Sequence, residues 1–567
     1  MQEHWILIFF ILGTWLLVSG IMLYNNYKNR KLFLQQVRQS WGKAPNMLYT
    51  ADQIERLSVY GKQKARREAF SLDEITWKDL DMDRIFQRMN HTVSAPGEEY
   101  LLYLLRTPRL EEAQIWKRDR LIQFFTQNAE KRSILQMILA QTEKSQRRSM
   151  GEELQALKTA EPIREKKHHV LCAAAVVSLL ILLFQPVYGF FLFLAVACVN
   201  TADYYAGRDR KVVEIYLKCF QGVLQMFVTA KKVEKLAWAQ MEEFCVRMHE
   251  ARSNLRAFQK ESRWLSGKNS VSGGLEAIVT DWIRMIFHVD LIHYNKMLRE
   301  IRQHQEDVEQ LIDNLGELDC AIAAASFREM LPVWCRPVFH GGEGIQAEGL
   351  YHPLIENPVS NSFCLDGGML ITGSNASGKS TFLRNVAINA VLSQTIATCT
   401  ASFYQAPLSR IFTSMALTDN LKGGESYFMV EIRSLKRILD AADREGALLC
   451  AVDEVLRGTN TIERIAASSR ILRQLCRKQV FCFAATHDIE LTYILEDWYE
   501  NYHFGEEIQG KDVLFSYTLR NGRASSRNAI RLLENLGYET KLTEAAREAA
   551  REFEQTGVWK KIYLTKK

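Results

Sequence analysis

The sequence predicts an α + α/β chain, all-helical through its first half with membrane-length apolar segments, then α/β. Three observations carry this. Charged, amphipathic patterns at helical spacing fill residues 72–141, 134–157, 212–256 and 282–325. Beyond Leu331-Pro332, short apolar runs of β type at 368–372, 447–452 and 480–485 alternate with helical patterns, as in a largely parallel sheet. Two further stretches, 5–23 and 170–200, are apolar on the scale of membrane helices.

Bulk properties bound the reading. With 47% hydrophobic and 24% charged residues, wholesale disorder is excluded. A net charge of +6 on 567 residues permits contact with nucleic acid or an anionic membrane but argues for neither. The eleven cysteines are scattered with no C-x-x-C pair, which points to reduced thiols rather than a disulfide frame or a zinc site.

The stretch 5–23 carries no charge and nearly reaches the roughly 20 residues a spanning helix needs. Its basic residues Lys28, Arg30 and Lys31 follow it, which favours an uncleaved anchor with a cytoplasmic C-terminal side over a signal peptide or a core helix. The stretch 170–200 is broken at Gln185-Pro186, leaving halves of about 15 residues against the usual 17 or more. Both flanks are basic: Arg164, Lys166 and Lys167 before, Arg208, Arg210 and Lys211 after. The charge bias therefore favours a shallow hairpin over one kinked span. The expected organisation is an anchor at 1–27, helical regions at 28–167 and 202–325 around an apolar hairpin at 168–201, an α/β domain at 326–540, and a helical tail at 541–567.

Three motifs carry chemistry. Met369-Leu370-Ile371-Thr372 is an apolar strand that feeds into Gly373, Ser374, Asn375, Ala376, Ser377, Gly378, Lys379 and Ser380, with a helix following from Thr381. Strand, G-x-x-x-x-G-K-[ST] loop and helix together form a phosphate-binding loop. Its glycines let backbone N–H groups turn toward phosphates, Lys379 neutralises the β- and γ-phosphates, and the Ser380 hydroxyl suits Mg²⁺. The expected ligands are ATP and Mg²⁺. Residues 448–452 form a buried strand ending in Asp453, for the metal, and Glu454, to orient and deprotonate the attacking water. Residues 481–486 form another strand, ending at His487, where a histidine can contact the γ-phosphate or its water.

Six ordered segments resemble the MutS family of mismatch-repair ATPases. They are Arg336-Pro337 with residues 349–356; Thr372-Gly373-Ser374-Asn375; 409–413; Glu425-Ser426-Tyr427-Phe428-Met429-Val430-Glu431; Asp453-Glu454-Val455-Leu456-Arg457-Gly458-Thr459-Asn460-Thr461; and Ala485-Thr486-His487. Residues 81–125 and 264–325 resemble the family's helical core, or lever, and 526–552 its C-terminal dimer contact. The resemblance implies an ABC-type ATPase fold acting as a homodimer, with Ser426 of one subunit completing the other's site and Asn375 near the γ-phosphate.

The sequence also departs from the family. Tyr427 stands for the signature threonine and Ser377 for a loop glycine, and no aromatic occupies 357–361, where the family stacks adenine. No mismatch-reading domain fits before residue 64, and the apolar hairpin lies where the family inserts its DNA clamp. The leading expectation is a membrane-anchored, ATP-dependent DNA-binding protein related to mismatch repair, its ATPase domain in the cytoplasm. The alternative is a membrane mechanochemical ATPase with no DNA substrate. A transporter subunit ranks last, since so few spans make no pore.

Overall fold

Capping residues open several N-terminal helices. Thr50 and Gln53 form a reciprocal capping box ahead of Ala51–Ala65, and Ser149 and Glu152 another ahead of Met150–Thr159. The Ser94-Ala95-Pro96-Gly97 break is itself a helix start: the Ser94 hydroxyl accepts from Gly97 N, and Pro96 sits in the first turn of Ala95–Arg106. The computed structural model describes the backbone except at residues 1, 46, 145–148, 263–264, 266–274, 342–343, 375–376, 416–426, 510–511, 525–529, 531–532, 535–536 and 562–567. It also leaves out most side chains of 2–26 and those of 275–280, 427, 506–509, 512–514 and 554.

The chain forms two compact units. The first comprises Met1–Ser71, Asp83–Thr107 and Ala113–Pro332 and is helical. Its centre is the helix Ala95–Arg106, buried on every side from Pro96 onward and packed against Gln305–Met330 and Ala51–Ala65. Leu101, Leu102, Leu104 and Leu105 are all at most 1% exposed. The first helix runs unbroken from Gln2 to Ser40, so the apolar 5–23 stretch and the polar segment after it are one continuous element.

Within this unit the apolar hairpin is larger than the sequence suggests. Glu165–Phe184 and Pro186–Ala206 are helices of 20 and 21 residues joined at Gln185. At 1.5 Å per residue each reaches about 30 Å, the thickness of a bilayer's hydrocarbon core. The expected 15-residue halves were too short because polar residues at each base extend the helices beyond the apolar run. The two helices pack closely: a Cβ at Gly189 would stand 2.2 Å from Leu182 Cα. Outward-facing side chains are apolar and exposed, as with Leu183, Phe184, Val187, Tyr188 and Phe191. Arg208–Glu234 is also long and apolar enough to cross a membrane, but it buries Val213, Leu217, Phe220, Val223 and Phe227 against neighbouring helices. Its apolar face thus serves the unit's own core.

The second unit comprises Leu72–Met82, Pro108–Glu112 and Val333–Lys567. Its strands are β1 (Val338–Phe339), β2 (Ile345–Leu350), β3 (Asn361–Leu365), β4 (Gly368–Thr372), β5 (Phe403–Ala406), β6 (Ser409–Ser414), β7 (Ala447–Asp453), β8 (Val480–Thr486), β9 (Tyr499–Gln509) and β10 (Asp512–Asn521). A six-stranded sheet runs β10-β9-β4-β8-β7-β6, parallel except for β10, beside a four-stranded sheet β1-β5-β2-β3. β4 and β8 are buried at every residue, as inner strands of a parallel sheet covered on both faces must be.

The edge strand β6 is closed by a segment more than 300 residues earlier in sequence. Thr76 Oγ1 accepts from Thr413 N, and Asp79 Oδ2 accepts from Thr413 Oγ1 at 2.7 Å and Met415 N at 3.0 Å. The short helix Glu74–Asp79 thereby supplies acceptors to strand-edge donors that would otherwise be open to pairing.

Candidate functional site

Parallel register builds the site. Thr372 at the end of β4 pairs with Thr486 at the end of β8, and Asp453 at the end of β7 pairs with Ala485. Whatever follows these strands therefore gathers at one carboxyl edge of the sheet, the usual ligand crevice of such folds. The phosphate-loop motif, the two acids and His487 all follow them.

The loop turns on its glycines. Gly373 has φ 149°, and a Cβ there would lie 2.8 Å from Ser377 Oγ and 3.1 Å from Phe504 O. Gly378, at φ 108°, is the N-cap of helix Lys379–Ile396. Lys379 is 4% exposed, and its ammonium donates to Gly373 O and Ser374 O, each at 2.7 Å. It also stands 3.3 Å from His487 Nε2. Ser380 and Thr381 occupy the first turn of the helix. Asn375, Ala376 and the signature Ser426 lie outside the described residues.

The acids differ in environment. Burial pushes the Asp453 carboxyl up, against the lowering effect of its hydrogen bond from Ser380. Asp453 Oδ1 is buried with no hydrogen-bond partner among the described residues. A buried, unpartnered carboxylate oxygen beside a serine hydroxyl is a donor set that fits Mg²⁺. Glu454 sits at φ 54°, its N–H tied to Ala485 O at 2.9 Å. Its Oε1 lies 2.7 Å from His487 Nε2 and its Oε2 3.0 Å from Arg457 Nε. The His487 hydrogen bond comes first among the effects that hold this carboxyl below its ordinary value.

Two cavities flank the loop. One, of about 170 Å³, is lined by Glu454, Arg457, Arg464, Thr486, His487 and Asp488. The other, of about 370 Å³, includes His352, Val359, Gly378, Thr381, Phe382 and Tyr517 in its lining. Phe363 is not part of that lining: it is 6% exposed and packs edge-on against Phe382 and Phe483.

Sequence reasoning brought Lys379, Ser380, Asp453, Glu454 and His487 to one place, and the structure gathers them there. It gave no role to Glu431, whose carboxylate accepts from Arg457 N at 3.1 Å. Nor did it find the bidentate Arg464–Asp488 pair, at 2.8 and 2.6 Å, which fixes the turn after His487. Glu431 stood inside a quoted motif, a signal that was available. Tyr517 was not legible, because it lies in a register irregularity between Phe515 and Leu519 of β10.

This arrangement defines an α/β domain of the phosphate-loop ATPase class. Residues 369–554 match the family model of MutS domain V. The chain is also similar to the DNA mismatch repair protein MutS of Natronomonas pharaonis, with 32% identity over 266 residues, covering 45% of this chain and 31% of that protein. The second unit therefore carries a MutS-family ATPase domain homologous to that of an archaeal MutS, on a chain with membrane-length apolar helices. The match spans about a third of that relative's length.

Proposed function

We propose that this protein is a membrane-anchored ATPase that hydrolyses ATP as a homodimer and binds DNA through its helical unit. The observation that carries the ATPase reading is the convergence of Lys379, Ser380, Asp453, Glu454 and His487 at the carboxyl edge of β4, β7 and β8.

In this reading Gly373 to Thr381 cradle the phosphates, with Lys379 exchanging its loop carbonyl partners for phosphate oxygens. Asn375 lies beside the γ-phosphate, and Ser426 of the partner subunit completes the site. Ser380 and Asp453 hold Mg²⁺, which when bound neutralises charge on the β- and γ-phosphates. Glu454 takes the proton of the attacking water. His487 and Arg457 each engage one of its oxygens and orient the carboxylate, and each oxygen keeps a second lone pair for the proton. His487 is placed for a switch role, since its Nε2 faces both Lys379 and Glu454. The 370 Å³ cavity receives the nucleoside, with Tyr517 and His352 as the flat groups that contact adenine. The helix Gln2–Ser40 supplies the N-terminal anchor, the hairpin a second membrane contact, and the tail from 541 a dimer contact. The ATPase domain faces the cytoplasm.

The DNA assignment rests on the homologous relative, a mismatch repair protein. A second reading, a mechanochemical ATPase without DNA, is favoured by one observation: the hairpin presents apolar rather than basic side chains to its surroundings. ATP turnover by the detergent-solubilised full chain, measured with and without duplex DNA at two salt concentrations, separates them. DNA-stimulated turnover that fades at high salt supports the first reading. No DNA effect at low salt refutes it.

A further inference from the structure

At the base of the apolar hairpin, the helical unit holds a polar cluster far in sequence from any motif above. His168 lies in the first turns of Glu165–Phe184, and Asp203 near the end of Pro186–Ala206. His288 is the residue before Val289–Gln303, in a left-handed conformation at φ 52°. His168 is 2% exposed and His288 is fully buried. Their Nδ1 atoms face one another at 2.8 Å. Each ring's other nitrogen already has a partner: His168 Nε2 lies 3.1 Å from Asp209 Oδ2, and His288 Nε2 3.0 Å from Asn200 O.

A backbone carbonyl only accepts, so the proton of a neutral His288 is on Nε2, leaving its Nδ1 a bare lone pair. The Asp209 carboxylate likewise draws the proton of a neutral His168 to Nε2. Two bare lone pairs then meet at 2.8 Å, an arrangement that needs a cation between or beside them. Asp203 adds an anionic oxygen: one ligand atom from each of the three residues lies within 4.8 Å of the others. Lys167 binds Asp203 Oδ1 at 2.5 Å, while Oδ2 is buried without a hydrogen-bond partner among the described residues. A proton shared by the imidazoles would satisfy the nitrogens alone. A metal ion satisfies all three groups.

We propose that His168 Nδ1, His288 Nδ1 and Asp203 form a binding site for a divalent first-row transition ion of the zinc class. The donor set is two nitrogens and one carboxylate, typical of zinc with a fourth position for water. Asp209 and the Asn200 carbonyl hold the rings' outer N–H groups, the carboxylate and carbonyl supports that metal-bound histidines generally have. Asn200 is itself fixed, donating to Leu171 O at 3.0 Å and Ile286 O at 2.7 Å. Two nitrogens on a tetrahedral ion bound at about 2.0–2.1 Å stand about 3.3 Å apart, so the rings need to separate by only about half an ångström. The ion would staple both hairpin helices to the start of Val289–Gln303, fixing the base of the membrane element.

The test uses the full chain in detergent, without a histidine tag, stripped with chelator and titrated with cobalt(II). One equivalent per chain is expected to bind with visible d–d absorption, and zinc should displace it. His168→Gln and His288→Gln should abolish the band. Asp209→Asn, which changes only a supporting contact, should weaken cobalt binding about 10- to 100-fold. Absence of a stoichiometric cobalt band in the native chain, or a band of equal strength in the His168→Gln/His288→Gln double variant, would overturn the proposal and leave a proton-sharing pair.

Discussion

Glu454→Gln tests the assignment on which the catalytic reading depends. The substitution keeps shape and removes charge, so its effect on binding and chemistry can be read separately. The amide oxygen can still accept from His487 or Arg457, which stand 2.7 and 3.0 Å from the native carboxylate. The loop contacts of Lys379 and the Ser380–Asp453 pair are left in place. Loss of a positioned general base costs about 10²- to 10⁴-fold in rate. At about 1.4 kcal/mol per tenfold, that is on the order of 3–5 kcal/mol of transition-state stabilisation. The native carboxyl is held below its ordinary 4.5, so it stays ionised through the neutral range and loses its charge only on stronger acidification. Phosphate release and fluorescent-nucleotide binding should be measured on native and variant protein. Binding within a few-fold of native with turnover down at least about 100-fold is expected. Turnover equal to native would remove Glu454 from the mechanism.

Two further perturbations probe the helical unit. Burial pushes the Glu99 carboxyl up from 4.5 to about 8, although Met150 N and Gly151 N both donate to it. Between those values the native state keeps a proton that the unfolded chain has released, so stability falls as pH rises through the window. At about 1.4 kcal/mol per unit the upper bound is on the order of 5 kcal/mol. The native melting temperature should drop from pH 5 to pH 8 and Glu99→Gln should flatten the drop; parallel slopes would refute this. In the hairpin, a Cβ at Gly189 would stand 2.2 Å from Leu182 Cα, whereas one at Gly222 meets nothing within 4 Å. Gly189→Ala should cost about 1–3 kcal/mol of stability through overpacking and so lower the unfolding midpoint, and Gly222→Ala should be neutral or stabilising by up to about 1 kcal/mol. Equal midpoints for the two variants would deny the close helix contact.

What the sequence disclosed follows from the range of the interactions involved. The phosphate loop, the acid pair and His487 each end a short apolar strand, so local pattern located them, and parallel pairing then placed them together. The closure of β6 by Thr76 and Asp79 was hidden because its partners are more than 330 residues apart and neither side has a period of its own. The hairpin's length was underestimated because hydropathy marks the apolar run, while helices continue through Lys166, Lys167 and Asp203 at its base. His168, Asp203 and His288 carry no motif spacing. Only folding brings positions 168, 203 and 288 within ligand distance.

Arg457 shows how a motif can be read correctly letter by letter while its mechanics stay hidden. Its side chain holds Glu454 Oε2, while its backbone N–H is held by Glu431 at 3.1 Å. Glu431 closes the signature segment and lies on Tyr427–Ala442, the helix that begins within it, and its carboxylate takes the Arg457 N–H of the 456–458 loop. Burial pushes its carboxyl up despite that donor, the mark of a group enclosed to hold a shape rather than to face solvent. Phe428 lies against Gly458, where a Cβ would stand 3.1 Å from its ring, so the same helix also limits how the loop can move. The helix is therefore joined through Glu431 to the Arg457 backbone, and through the Arg457 side chain to the carboxylate beside His487. The signature segment and the acid pair are 22 residues apart, from Glu431 to Asp453, yet they are linked through one arginine whose two ends are bound to different carboxylates.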